Sequence, residues 1–138
     1  MTTQRRDGKS PSEFSDWFRN QDEIDSSLGF LNTNIDYVWK DKHSKKWMYL
    51  EEKRFNTWPR TWQLDFFKEI DEATRSSNYK GFHLIRFERT SPDDGILYVD
   101  DELADREWLI SFLRFELPDR YYRSYFEKAK SRAVQYKK

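Results

Sequence analysis

Asp36, Glu51 and Lys53 are the residues whose types and spacing bring chemistry to mind. Asp36 lies in an aromatic and β-branched run, Ile35 to Lys40. Glu51 and Lys53 lie in a second run, Trp47 to Arg54, beyond the charged turn Asp41-Lys42-His43-Ser44-Lys45-Lys46. A sheet that needs only a core keeps its inward positions apolar, because an unpaired buried charge costs several kcal/mol. Two carboxylates within a few ångströms repel, so one holds a proton unless a cation sits between them. Magnesium takes carboxylate oxygens and keeps several waters. Asp36 and Glu51, with the backbone carbonyl of Leu50 or Glu52, are candidate ligands that leave room for a phosphate and a water. Lys53 would orient that water or neutralise the phosphate.

These roles require a hairpin. Side chains alternate along a strand, so Glu51 and Lys53 share a face with Trp47 and Tyr49, while Glu52 joins Leu50 on the other. If Val38 pairs with Tyr49, Asp36 falls opposite Glu51; a one-residue slip separates them. Upstream, Ser10-Pro11-Ser12-Glu13 has capping-box spacing with proline at the first helical position, and Phe14, Trp17 and Phe18 follow as a short apolar face fading near Asn20. Residues 21–34 fit neither period and read as irregular or briefly helical. After the hairpin, Trp62, Phe66, Ile70 and Ala73 form a helical stripe. Residues 81–89 and 95–100 read as two strands about a turn, residues 105–117 as a helix stopping at Pro118, and Arg120 to about Gln135 as a last helix. The order implies an α/β or α+β fold, a central mixed sheet flanked by helices.

The chain has 138 residues, enough for one ordinary domain; the reading is an N-terminal arm over residues 1–9 and a single domain over 10–138. Although 36% of residues are charged, 18% are aromatic, and those rings can supply a core. There is no cysteine, so disulfides and thiolate metal sites are excluded and zinc is disfavoured. No apolar run approaches the roughly 18 residues of a membrane span, and the N-terminus lacks a signal-peptide centre. A soluble, intracellular (cytoplasmic) protein without membrane contact is expected. Net charge is zero, yet residues 119–138 hold seven bases against two acids, a basic C-terminal helix from about residue 119.

Asp36 and Glu51-Glu52-Lys53 together resemble the signature of the PD-(D/E)xK phosphodiesterases, the superfamily of restriction endonucleases, RecB-type exonucleases and Holliday-junction resolvases. In that family an acid lies on one strand of a hairpin and the (D/E)xK element on the next, between two helices, the order read here from about Ser10 to Asp100. Here Ile35, not proline, precedes Asp36. The resemblance implies a restriction-endonuclease-like core and a nuclease dependent on Mg2+, with Mn2+ able to substitute. Asp36 and Glu51 would be metal ligands, Lys53 the catalytic lysine, and the chain a homodimer acting on two strands of DNA. It also implies roles for Glu13, for which the local capping-box reading comes first, and for Gln63, whose partner four residues on is Phe67 where RecB-like members carry tyrosine.

A phosphodiester substrate needs positive charge beside the acids. Arg54, Arg60, Arg86 and Arg89 near the sheet, and Arg120, Arg123, Lys128, Lys130 and Arg132 in the tail, are candidate nucleic-acid contacts, DNA ahead of RNA. The C-terminal tyrosines would stack on bases or serve the core. His43 and His83 read as turn and core residues ahead of ligands. Two further readings compete: a non-catalytic nucleic-acid-binding module of the same fold using the basic helix, and a protein-interaction domain. A plainer account of Glu51 to Arg54 is a solvated strand end with ordinary cross-strand pairs.

Overall fold

The computed structural model describes residues 13–136, with side chains through Ala133. They fall into two compact units divided between Thr33 and Asn34, inside the span read as one domain. The first contains helix α1 (Glu13–Arg19) and two single 3-10 turns, Asp22–Ile24 and Ser26–Leu28, matching the irregular, briefly helical reading. Asp25 caps the second turn by accepting from the Ser27 N–H, and Gly29 at φ 98° ends it. The Ser10 side of the expected capping box lies outside the described residues.

The second unit is α+β. A mixed five-stranded sheet runs in order β1 (Tyr37–Lys40), β2 (Trp47–Lys53), β3 (Tyr79–Phe87), β4 (Leu97–Val99) and β5 (Glu102–Ala104). Only β2 and β3 are parallel, joined through helix α2 (Thr61–Ala73), as a parallel pair requires a crossover. Helix α3 (Arg106–Leu113), a 3-10 turn (Asp119–Tyr122) and helix α4 (Tyr125–Tyr136) complete the unit. Strand β5 was not expected from sequence. It follows a two-residue turn in which Asp100 and Asp101 both take positive φ, the conformation that tight hairpins demand and that aspartate tolerates.

The sheet divides two cores. Met48, Leu50, Ile85, Phe87, Leu97 and Val99 meet Leu109, Phe112 and Tyr122 on one face. Phe82 and Leu84 meet Phe67 and Tyr125 on the other, with Tyr49 and Leu64 at the margin. Helix α2 therefore buries Phe67 and Asp71 most deeply, one residue round from the expected Trp62, Phe66, Ile70 stripe. The buried Asp71 accounts for the shift: its carboxylate accepts from the Tyr79 hydroxyl at 2.6 Å and from Arg75 at 3.1 Å, so a polar network, not apolar periodicity, orients the helix.

The last two helices are shorter than their patterns. Helix α3 stops at Leu113, with Phe115 at φ 59°, instead of running to Pro118. The tail does not become α-helical until Tyr125, where Ser124 and Glu127 reciprocally bond each other's backbone N–H in a capping box. Arg120 and Arg123 thus precede the basic helix. Among the described residues no helix is long and apolar enough to cross a membrane.

Candidate metal and phosphodiester site

The β1–β2 register pairs Val38 with Tyr49 and Tyr37 with Leu50, so the next position places Asp36 across from Glu51, the register the site needs. Asp36 itself forms a bend just before β1, not the strand expected there. Its side chain is the reason. The Asp36 N–H donates to Glu51 Oε1 at 3.2 Å, while Asp36 Oδ2 accepts from the Glu52 N–H at 2.9 Å. Two carboxylates have taken over where the ladder would have continued, fixing each against the other's strand.

Glu51 is 3% exposed although ionisable. Burial, then repulsion from Asp36, pushes its carboxyl up to about 7, and burial likewise raises that of Asp36. The Lys53 ammonium lies 3.7 Å from Glu51 Oε2, too far for a hydrogen bond but close enough to attract it. Among the described residues no cluster of three or more His, Cys, Asp or Glu side chains converges on one point. Two mutually repelling oxygen ligands, Glu51 buried and Asp36 open to solvent, left to be completed by backbone carbonyl, water or phosphate, fit magnesium, which retains several waters and is commonly held by one or two carboxylates. Glu52 lies on the opposite face and is occupied by Arg54, 3.1 Å away, and by the Tyr37 hydroxyl.

The remaining candidates are distributed differently. The Gln63 side-chain oxygen accepts from the Arg60 N–H at 3.1 Å, closing the N-terminus of α2. Glu13 opens α1 in the other unit. Of the tail bases, Lys130 is exposed and Arg123 bonds Ser131. Arg120 covers the Tyr121 ring. Arg132 faces Asp101 at 3.5 Å. Lys128 turns its ammonium inward, onto Asp100 Oδ2 at 2.6 Å and the Tyr121 carbonyl at 2.7 Å.

Asp100 also holds His83, whose Nδ1 lies 2.7 Å from Asp100 Oδ2 and whose Nε2 lies 2.7 Å from the Lys80 carbonyl. Burial would raise the Asp100 carboxyl, but His83 and Lys128 more than reverse this and hold it below the usual carboxylate range. His83 is the expected core residue, and His43 the expected turn residue, its N–H donating to Asp41. Sequence spacing gave no signal for the residues that meet at Asp100. It gave none for the stacking of Arg86 against Trp58, 3.7 Å from guanidinium carbon to ring centre.

Comparison with known protein families, curated proteins and solved structures returned no match to this chain.

Proposed function

We propose that the protein is a magnesium-dependent phosphodiester hydrolase acting on nucleic acid, DNA before RNA, with Asp36 and Glu51 as metal ligands and Lys53 as the catalytic cation. The observation that carries this reading is the bonding of two acids, Glu51 buried and Asp36 exposed beside it, to each other's strand across the β1–β2 end, with a lysine next to them. A fold needing only stability gains little from that arrangement, since an apolar pair would avoid the desolvation and repulsion. The resemblance to PD-(D/E)xK phosphodiesterases supports the same assignment, as does the order hairpin, helix, parallel strand that follows the signature. A restriction-endonuclease-like core and a homodimer belong to this proposal.

Magnesium bound there would activate a water and offset charge gathering on phosphorus. The chain's own part is positional. Asp36 and Glu51 are locked by backbone N–H donors, so their oxygens are aimed before any ion arrives. Lys53, two residues from Glu51 on the same face, reaches the phosphate side with a positive charge and three donor hydrogens. Gln63 serves this reading less well, its oxygen being committed to the helix cap.

The test is cleavage of supercoiled plasmid, a single-stranded oligonucleotide and a branched junction, with magnesium, manganese or EDTA, beside Lys53→Ala. Cleavage that needs metal and disappears in a folded Lys53→Ala variant is expected. Cleavage in EDTA, or at the wild-type rate in the variant, would overturn the site assignment. Binding without any cleavage would favour the non-catalytic module, although the inward turn of Lys128 weakens the C-terminal helix as its contact surface.

A further inference from the structure

The β2–α2 connection, residues 54–60, begins immediately after Lys53 and exposes two large rings, Phe55 at 64% and Trp58 at 51%. The backbone beneath Phe55 is fixed, and the Trp58 ring packs on Arg86. Phe55 and Asn56 both take φ of 56°, unfavourable for a bulky phenylalanine. Four bonds fix the segment: the Phe55 N–H to the Arg89 carbonyl, the Asn56 N–H to the Phe87 carbonyl, and both the N–H and hydroxyl of Thr57 to the Arg54 carbonyl. Pro59 is buried beneath it. Backbone strain that turns an apolar ring toward water serves no core and is maintained for what the ring meets.

Arginines surround these rings, Arg54 paired with Glu52 at 3.1 Å and Arg86 with Asp101 at 3.7 Å. The Arg86 guanidinium lies against one side of Trp58 at 3.7 Å and against Tyr98 at 4.8 Å, which fixes the indole while leaving it half exposed. Arg60 and Arg89 are exposed at the two ends of the bonded segment. Exposed rings interleaved with arginines match the bases and phosphates of a single strand, whose unstacked bases offer their faces; a paired duplex hides them.

We propose that residues 54–60 form a stacking platform for unpaired nucleobases, with Phe55 and Trp58 taking bases and Arg60 and Arg89 taking phosphates. Single-stranded nucleic acid is then the substrate class delivered to Asp36, Glu51 and Lys53. This deepens the phosphodiesterase reading and rests on it for the link between platform and chemistry.

Fluorescence anisotropy in EDTA, with a labelled oligothymidylate and a duplex of equal length, tests binding apart from cleavage. Single strands are expected to bind at least about tenfold tighter than duplex, following the stacking preference. Phe55→Asn retains a residue tolerant of positive φ and should fold at least as stably. It and Trp58→Ala should each weaken single-strand binding about fivefold to a hundredfold, the range for losing one stacked base. Trp58→Phe should restore most of that loss, and duplex binding should not change. Equal affinity for duplex, or wild-type single-strand binding by folded Phe55→Asn, would overturn the platform. If wild-type protein binds single strands through these rings yet cleaves nothing with magnesium, the phosphodiesterase reading fails and the platform stands. If it cleaves duplex with both ring variants fully active, the reverse holds.

Discussion

At the scale of single residues, the chemistry turns on Glu51, a carboxyl held at about 7 by burial and by Asp36. A carboxyl whose folded value exceeds its ordinary 4.5 binds more protons folded than unfolded between those values, so its contribution to stability falls as pH rises through that window. Metal-free wild-type protein should therefore lose about 2–3 kcal/mol relative to Glu51→Gln between roughly pH 4.5 and pH 7. Urea unfolding in EDTA across that range measures the difference, and parallel profiles for the two proteins would mean that Glu51 is not strained. Magnesium should reverse the sign, because it binds the ionised pair. Its stabilisation, about 2.7 kcal/mol at a hundredfold excess over Kd, should be largest near pH 8 and shrink toward pH 5.5. A thermal shift that magnesium leaves unchanged at pH 8 would count against Asp36 and Glu51 as ligands.

At the scale of elements, what aligns the site is the path of β3. Trp47 pairs with Tyr79 but Tyr49 with Phe82, so β3 carries one extra residue there, and Gly81 at φ 94° absorbs it. A Cβ at Gly81 would stand 2.8 Å from the Tyr122 carbonyl oxygen, so Gly81→Ala combines backbone strain with a clash. It should cost about 2 kcal/mol or more by denaturant unfolding; a neutral effect would show that the bulge is not needed. Lys128→Ala, which strips a cation from the buried Asp100, should cost about 3–5 kcal/mol. Lys130→Ala, exposed on the same helix, should stay within about 0.5 kcal/mol. The hairpin was legible from two aromatic runs about a charged turn, but its register was not, since alternation alone leaves a one-residue slip open. The capping box at Ser124 and Glu127 was equally legible as Ser-x-x-Glu, but the tyrosine-rich stripe upstream disguised it. Strand β5 and the buried face of α2 were not legible. Three residues are too few to show a period, and the helix is oriented by Asp71 meeting Tyr79, a contact eight residues apart that spacing does not encode.

At the scale of the whole molecule, the mixed sheet separates two tasks. One face, packed by Phe112 and Tyr122, buries the even positions of β2 and serves stability. The other carries Tyr49, Glu51 and Lys53, so Glu51, paired with Leu84, shares a layer with Phe67 and Phe82 and is buried there. Burial in this layer, then the Asp36 charge, raises the Glu51 carboxyl, and the neutral net charge conceals an acidic pair close in sequence to Arg54 and Arg60. The central claim concerns these together: a metal held by Asp36 and Glu51 hydrolyses a phosphodiester with help from Lys53. The most direct measurement is the single-turnover cleavage rate of a labelled single-stranded oligonucleotide as magnesium is titrated, for wild type and for a Glu51→Gln variant of matched circular dichroism. Saturable, metal-dependent cleavage is expected in wild type, with a loss of at least about a hundredfold in Glu51→Gln. Equal rates in the two proteins, or no cleavage by wild type at any magnesium concentration, would contradict the claim.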